Sequence, residues 1–283
     1  MSCPNCFSGH VNAATPKGRE EKVFDRDCYI AEPGEGKAVK GIIVIISDAF
    51  GWQFVNNRIL ADHYATRGDF KVYLPDFMDG TAAPISLLTT TNKLLEDKSL
   101  IGWLKKPFQV VSLLSVAAPY MMSNSFPKSW PKVTSFFQAL RDSEEGKKLP
   151  IGAAGFCWGG KHTVNLCHGF RTPSGVNLID AGFTAHPSNL SIPSEIEKLK
   201  LPLSIAQPEK DMAVSVTQYE TIKTTLANLK KEEGLESEVV EYKGTTHGFA
   251  VRADESKDEA KQAEQAEDQA IKWFQTQFAK VER

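Results

Sequence analysis

The stretch Leu149-Pro150-Ile151-Gly152-Ala153-Ala154-Gly155-Phe156-Cys157-Trp158-Gly159-Gly160 decides the fold of this chain. Its first six residues are mostly apolar and predict a strand buried inside a sheet. The next five have the form Gly-x-Cys-x-Gly. A tight turn from a strand into a helix needs glycines on both sides of a nucleophile, because a Cβ there would clash. The dipole at the start of that helix favours a thiolate, so we predict that Cys157 is a nucleophile.

The Gly-x-Cys-x-Gly pattern is weak by itself, since roughly one chain in ten of this length would match it by chance. Its place between a predicted buried strand and a predicted helix makes it more specific. A buried structural cysteine remains the alternative interpretation of Cys157 at this point.

Strand and helix patterns alternate on both sides of this stretch. Short apolar or β-branched runs predict strands at residues 23–31, 41–46, 70–74, 178–184, 201–206 and 236–242. Helical spacing predicts helices at 56–67, 158–167, 214–231 and 259–280, with Gly68 as the residue that ends the first. Such alternation predicts a mostly parallel sheet covered by helices on both faces. We expect one domain over residues 23–283, after an irregular segment at 1–22.

Residues 79–131 interrupt the alternation. They mix Thr, Ser, Pro and Lys with short apolar pieces, which predicts helices and loops. Ligands of open α/β sheets bind at the carboxyl edge of the strands, so this segment is expected to form a lid over that edge.

Asp211 and His247 each follow a predicted strand on the carboxyl side of Cys157. Nucleophile, then acid, then histidine is the chain order of an α/β-hydrolase triad. In this interpretation His247 takes the thiol proton and later protonates the leaving group, while Asp211 fixes the tautomer of His247. The simpler alternatives are a surface carboxylate for Asp211 and a loop-capping histidine for His247.

An oxyanion hole requires two backbone N–H groups. The residue after the nucleophile, Trp158, supplies one of them. We expect Ala49, in the loop that follows the strand at 41–46, to supply the other.

Several motifs together resemble the dienelactone hydrolase (carboxymethylenebutenolidase) family over residues 24–280. They are Asp48-Ala49-Phe50-Gly51, Tyr73-Leu74-Pro75-Asp76, Gly155-Phe156-Cys157-Trp158-Gly159-Gly160, Asp211 and His247-Gly248-Phe249. The opening, Met1 to Phe7, resembles the fungal cytoplasmic branch. The resemblance implies an α/β-hydrolase fold, a Cys157–His247–Asp211 triad, and hydrolysis of an ester or lactone without a cofactor.

Two positions depart from the family pattern. Bacterial members hold the resting thiol with a glutamate, and the matching residue here is the shorter Asp48. Asp48 either takes that role or caps the following helix. Members that process dienelactones bind a substrate carboxylate with two arginines. Arg252 lies one residue away from the place of one, and no arginine stands between Arg67 and Arg141 to supply the other.

The missing arginine argues against an anionic dienelactone as substrate. A more aromatic pocket is expected instead, with Phe50, Trp52 and Trp103 beside Trp158. We also assign to this pocket His186, which follows a predicted strand, and two residues in or near the histidine motif of the family, Phe249 and Arg252. For His186 a purely structural role is an equal alternative.

Composition excludes several classes of protein. The 283 residues are 41% hydrophobic and 24% charged, with a formal net charge of −2. Neither sign of charge forms a long block, so we expect no nucleic acid or anionic membrane as partner. The longest strongly apolar run, residues 41–46, is far too short to span a membrane.

The cysteines indicate a reducing compartment. There are five, an odd number without a repeating framework. The residues from Met1 to Cys6 lack the basic and apolar regions of a secretory signal, so we expect a cytoplasmic protein. Cys3, Cys6 and His10 resemble the start of a zinc site, but a closed site needs four ligands, and we predict no metal.

Two other functions stay open on sequence grounds. One is a non-catalytic protein of the same fold that binds a ligand or partner. A complete triad argues against it, because a binding protein has no need of all three groups. The other is redox or metal chemistry at Cys3 and Cys6. Whether the chain forms a homodimer is also left open.

Overall fold

A computed structural model of the chain describes residues 7–96, 115, 117–254 and 258–282. The predictions that concern Cys3, Cys6 and Trp103 lie outside these ranges. The described residues contain an eight-stranded sheet in the order β1-β2-β4-β3-β5-β6-β7-β8. Its strands are β1 (Arg19–Val23), β2 (Arg26–Ala31), β3 (Ile42–Ile46), β4 (Lys71–Pro75), β5 (Ile151–Phe156), β6 (Ala181–Ala185), β7 (Leu203–Lys210) and β8 (Ser237–Thr246).

The sheet is parallel from β4 to β8, and only β1 and β2 run antiparallel to their neighbours. The central strand β3 is Ile42-Ile43-Val44-Ile45-Ile46 and is fully buried. A strand covered on both faces needs apolar side chains at every position, which explains the unbroken run.

Helices cover both faces of this sheet. They are α1 (Val55–Gly68), α2 (Ser86–Glu96), α3 (Phe126–Asp142), α4 (Glu144–Lys148), α5 (Trp158–Leu166), α6 (Val216–Glu233), α7 (Phe249–Arg252) and α8 (Asp258–Phe278). A Cβ on Gly152 of β5 would meet Phe274 of α8, whereas one on Gly182 of β6 would meet Thr163 of α5. Gly182 pairs with Ala153, the neighbour of Gly152, so α8 and α5 lie on opposite faces. The predicted architecture is confirmed.

The beginning of the chain differs from the prediction. Residues 19–22 belong to strand β1 rather than to an irregular segment, and the strand predicted at 23–31 is a hairpin. Phe24 and Asp25 form its turn with φ values of 48° and 65°. Two-residue hairpin turns of this kind usually carry Asn or Gly, so nothing in the sequence marks the position as a turn.

The end of α1 also differs in detail. The left-handed residue after the helix is Asp69, with φ 56° and ψ 38°, and not Gly68. A Cβ on Gly68 would lie 2.3 Å from the ring of Phe70. Glycine is required there by close packing instead of by backbone conformation.

The segment predicted as a lid, residues 79–131, contains α2, a helical piece at 117–123 and the start of α3. Residues 97–114 and 116 lie outside the described ranges, and the role of the segment as a lid stays a prediction. Its Asn124 is buried and bonds to Thr81 O at 2.9 Å and Tyr120 O at 3.0 Å.

Candidate active site

Cys157 lies in a sharp turn between β5 and α5. Its φ of 50° and ψ of −107° are strained for a non-glycine residue. A Cβ on Gly155 would lie 2.3 Å from Gly159 O, and one on Gly159 would lie 2.0 Å from Ile46 O. The glycine requirement predicted from the sequence therefore arises from close backbone approach on both sides of the thiol.

His247 and Asp211 form a buried pair next to Cys157. The Nδ1 atom of His247 lies 2.9 Å and 3.1 Å from the two carboxylate oxygens of Asp211, and both side chains are 0% exposed. The N–H of Ala213 also donates to Asp211 Oδ1 at 2.8 Å, which fixes the carboxylate. The other side of the imidazole is hydrogen-bonded to Cys157. The structure thus brings together the three residues predicted as a triad.

The pKa of His247 is raised well above its ordinary value. Burial acts most strongly and opposes the charged form, but the thiolate of Cys157 and the carboxylate of Asp211 together outweigh it. A hydrogen bond to each of these groups adds to the effect. The arrangement favours an imidazolium held between two negative groups, which suits a base that has taken the thiol proton.

Ala49 and Trp158 are the two residues predicted to supply the N–H groups of an oxyanion hole. Both line the same cavity as Cys157. The N–H of Trp158 is the first in α5, and an N–H at that position has no partner within its own helix. Whether the two groups bind an oxyanion stays a prediction.

A cavity of about 240 Å³ adjoins the thiol. Its apolar wall among the described residues consists mainly of aromatic side chains, namely Phe7, Tyr120, Phe126 and Trp158. Polar groups come from Asn124, Ser125, Ser188 and Asn189. Lys161 is the one residue of that described lining with a permanent charge, and its Nζ pairs with Glu195 at 2.8 Å and 2.9 Å. The cavity therefore offers a flat apolar surface with little net charge.

Phe50 and Trp52 do not line this cavity, contrary to the prediction. Phe50 packs behind it, with its ring 5.2 Å from the ring of Phe54. Trp52 is covered by the guanidinium of Arg58, which lies 4.9 Å from its ring. Both aromatic rings follow the early loop, but the loop turns them into the core and leaves Ala49 at the cavity.

His186 and Phe249 lie behind the histidine rather than on the cavity wall. The ring of His186 meets the ring of His247 at 5.0 Å in a T-shaped contact, and the pKa of His186 is held well below its usual value by burial and by the nearby charges. Phe249 packs against Tyr242 with ring centroids 5.0 Å apart. His186 thus packs against His247, and Phe249 packs against His186 and Tyr242. Neither residue is among the described residues that line the cavity beside Cys157, where we had expected them.

Arg252 was also predicted in the substrate pocket, and the structure buries it elsewhere. Its Nη1 donates to Asp48 Oδ2, its Nε donates to Ser8 O at 2.8 Å, and its guanidinium lies 5.3 Å from the Phe50 ring. Both charged side chains of the pair are 0% exposed. Arg252, Phe249 and His247 share a separate depression of about 170 Å³. The guanidinium is engaged by the protein itself, so it does not form a carboxylate clamp in the cavity.

Asp48 is not a cap of α1. The N-cap residue of that helix is Phe54, whereas Asp48 Oδ1 accepts from Asn57 Nδ2 at 3.0 Å and from Phe50 N at 3.1 Å. Burial raises the pKa of Asp48, the Cys157 thiolate adds to that rise, and Arg252 with Asn57 opposes it. Asp48 is therefore close enough to Cys157 for the two negative charges to disfavour each other.

The sequence did not reveal several residues of the site. Trp158 Nε1 donates to Asn124 O at 2.8 Å, and Cys157 Sγ lies 3.8 Å from Ser188 Oγ. Ser188 follows β6 by three residues, so its position at the carboxyl edge of the sheet was a usable signal. Phe7 and Asn124 lie in segments without a periodic pattern, and no local signal marks them.

Among the described residues, no group of three or more His, Cys, Asp or Glu side chains could hold a metal ion. The same part of the chain has no helix that is long and apolar enough to cross a membrane. The ring of His10, which we considered as a zinc ligand from the sequence, has its Nε2 atom 3.5 Å from Oδ2 of Asp254.

Comparisons with known proteins agree with this geometry. The model of the dienelactone hydrolase family matches residues 27–278. The chain is 31% identical to the hydrolase tropI of Talaromyces stipitatus, over 97% of this chain and 95% of that protein. It is 28% identical to the hydrolase pyvD of Aspergillus violaceofuscus, over 95% of this chain and 94% of that protein. Among solved structures, the dienelactone hydrolase of Anabaena variabilis aligns with this chain at a TM-score of 0.58 and 12% sequence identity. The alignment covers 93% of this chain and 98% of the Anabaena chain.

The sheet order, the sharp turn at Cys157, and the positions of Asp211 and His247 directly after later strands are those of an α/β-hydrolase fold. The chain belongs to the dienelactone hydrolase family and is a hydrolase that acts on ester bonds. The resemblance noted from the motifs is confirmed. This membership favours a hydrolase over the non-catalytic binding protein that the sequence left open.

Proposed function

We propose that this protein hydrolyses small, neutral esters or lactones with Cys157 as nucleophile, His247 as base and acid, and Asp211 as the group that orients His247. The observation that carries the proposal is the hydrogen-bonded series from Cys157 through His247 to Asp211, beside a cavity that the thiol lines.

The reaction divides into two steps. In the first, the thiolate of Cys157 attacks the carbonyl carbon, and the tetrahedral intermediate collapses to a thioester while His247 gives its proton to the departing alcohol oxygen. In the second, His247 takes a proton from water, the hydroxide attacks the thioester, and the acid leaves with the thiolate restored. Asp211 keeps the Nδ1 proton of His247 in place throughout.

The negative oxygen of each tetrahedral intermediate needs donors that are already aimed at it. We assign the N–H groups of Ala49 and Trp158 to this role, because both residues border the cavity next to the thiol. The dipole of α5 favours negative charge at the same place.

Asp48 is proposed to limit the charge on the resting thiol. Its carboxylate and the thiolate disfavour each other, while Arg252 and Asn57 hold the carboxylate in position. A resting thiol with less negative charge is alkylated and oxidised more slowly between turnovers than a full thiolate, although faster than the buried thiols of Cys28 and Cys167.

Neutral substrates are favoured by the charges around the cavity. Lys161 is paired with Glu195, and Arg252 is buried against Asp48, so neither cation is available to a substrate carboxylate. The aromatic wall provides apolar area for a flat ring. We therefore expect higher kcat/KM for neutral aryl esters or lactones than for an anionic dienelactone.

The test is a panel of neutral aryl esters, neutral lactones and an anionic dienelactone, run on the wild type, Cys157→Ala and Cys167→Ala. Cys167 is buried away from the cavity and provides the matched control. Loss of hydrolysis in Cys157→Ala, with full activity in Cys167→Ala, is the expected result. Equal activity of all three proteins would overturn the proposal, and a preference for the dienelactone would overturn its substrate class.

A cytoplasmic location is proposed as well. Cys28 and Cys167 are buried and form no disulfide in the described part of the chain, which is the usual state of cysteine in a reducing compartment. Microscopy of the tagged full chain tests this directly.

A further inference from the structure

We propose that the N-terminal strap, residues 7–18, holds Phe7 in the substrate site and that Phe7 sets the size of the ring that the cavity accepts. This inference rests on the proposed function, because it concerns the cavity beside Cys157. The assigned ligand class is a neutral ester or lactone that carries an aromatic ring.

Phe7 and Cys157 line the same cavity although they are far apart in the chain. The Phe7 side chain is buried, and its ring meets Phe50 at 6.3 Å and Tyr120 at 5.9 Å, both edge to face. Phe50 and Tyr120 thus fix the orientation of the Phe7 ring, while another side of it borders the open cavity. An aromatic ring held in this way presents a fixed face or edge to a bound ring.

The backbone directly after Phe7 is anchored to α7, the short helix that begins two residues after His247. Ser8 O accepts from Arg252 Nε at 2.8 Å, and His10 N donates to Arg252 O at 3.0 Å. A Cβ on Gly9 would lie only 2.5 Å from Arg252 Cβ, so this close approach requires glycine. Asn92 completes the anchor by exchanging two hydrogen bonds with the backbone of Gly9.

The rest of the strap is bonded to α1 and to the hairpin. Asn56 accepts from Asn12 N at 2.9 Å and donates to His10 O at 2.9 Å. Lys17 N donates to Asp62 at 2.7 Å, and Gly18 N donates to Tyr29 Oη at 2.5 Å. Hydrogen bonds thus fix the strap from Gly9 to Gly18, whereas segments near a chain end are usually poorly ordered unless they are bonded to the fold.

This geometry separates Phe7 from an ordinary core residue. A core side chain would be surrounded by protein, and shortening it would change stability without changing which substrate is preferred. Phe7 instead forms a cavity wall, so its size must alter the space beside the reacting carbonyl. Phenyl and naphthyl esters of the same acid differ only in ring size and report that space.

The experiment measures kcat/KM for phenyl acetate and 2-naphthyl acetate in the wild type, Phe7→Ala, Phe7→Leu and Val11→Ala. Val11 belongs to the same strap but is 51% exposed and does not line this cavity, so Val11→Ala is the matched control. We expect the ratio of kcat/KM for 2-naphthyl acetate to that for phenyl acetate to rise about fivefold or more in Phe7→Ala. The phenyl group loses its contacts with the Phe7 ring, and the naphthyl group gains the space that this ring occupied, so both changes raise the ratio. Phe7→Leu should give a smaller rise, and Val11→Ala none.

A ratio in Phe7→Ala equal to that in Val11→Ala would overturn the inference. If Phe7→Ala fails to fold, the ratio in Phe7→Leu decides in the same way. Running Cys157→Ala with both esters separates the two proposals: hydrolysis that survives in Cys157→Ala contradicts the proposed function, whereas an unchanged ratio with Cys157 still essential contradicts only the role of Phe7.

Discussion

This protein has two buried ion pairs whose basic residues, His247 and Arg252, are five positions apart in the chain. The two pairs differ in the groups that surround them. His247 pairs with Asp211, and Arg252 pairs with Asp48; all four side chains are 0% exposed. His247 has the thiol of Cys157 on its other side. Arg252 has the carbonyl of Ser8 and the ring of Phe50. Burial of a charged pair does not by itself indicate catalysis, and the third group that each pair contacts determines its role.

The first way to test this comparison is to remove the proposed base, His247, from its pair with Asp211. In His247→Asn the amide can still donate to Asp211, so the carboxylate keeps a partner, but the side chain cannot take a proton. We expect kcat to fall roughly 10⁴-fold or more. Asp211→Asn should lower kcat somewhat less. Thermal unfolding checks that both variants fold, and near-normal turnover in folded His247→Asn would remove His247 from the mechanism.

The second test removes the cation from the other pair. Arg252→Met leaves Asp48 buried without its main partner, so we expect the free energy of unfolding to fall by about 3–5 kcal/mol. The double variant Asp48→Asn with Arg252→Met leaves no buried charge and should recover much of that loss. Urea denaturation measures both. An Arg252→Met protein as stable as the wild type, with a large loss of kcat, would reverse the roles given to the two pairs.

The contrast between the pairs also shows what the sequence could and could not predict. Cys157, Asp211 and His247 could be predicted to lie close together because each comes shortly after a predicted strand, and the glycines around Cys157 have a steric cause. Arg252 was placed in the substrate pocket because only its distance from the histidine motif was visible. Its partner Asp48 lies 204 positions earlier in the chain, and no local sequence pattern predicts that the two residues form a pair.

The cavity wall could not be predicted for the same reason. Phe7 comes from a segment that we expected to be irregular, and Asn124 comes from the interruption at 79–131. Neither stretch has the period of a helix or strand, so burial of their side chains depends entirely on tertiary contacts. The hairpin was missed at Phe24 and Asp25 because these residues are unusual at a turn with positive φ.

A third, smaller effect tests how the strap supports Arg252. Gly9 has φ 128° and touches Arg252, whereas Gly36 has φ 78° with no atom within 4 Å of an added Cβ. Gly36→Ala therefore introduces backbone strain alone, about 1 kcal/mol, and Gly9→Ala adds a steric clash, for about 2–3 kcal/mol in total. Urea denaturation compares the two. Equal losses would mean that the strap does not press on Arg252.

The smallest effect is a shift in the titration of His247. The thiolate of Cys157 is the strongest of the groups that raise the pKa of His247, so Cys157→Ala should lower that pKa, and Cys167→Ala should leave it unchanged. A raised folded pKa stabilises the protein below the unfolded pKa near 6.5, and this stabilisation is lost as pH rises through the folded value. The loss should therefore be smaller, and complete at lower pH, in Cys157→Ala. NMR titration of the imidazole measures the shift, and an unchanged pKa would contradict the contact between the two residues.

The central claim is that Cys157 carries the hydrolysis, and alkylation measured together with activity tests it most directly. Burial raises the pKa of Cys28 to about 12 and raises that of Cys167 as well, so both should react slowly with iodoacetamide. Cys157 has His247 beside it and should be labelled first. Peptide mass spectrometry at timed intervals is expected to show that ester hydrolysis falls in proportion to the modified fraction of Cys157. Full hydrolysis by protein whose Cys157 is completely alkylated would contradict the account.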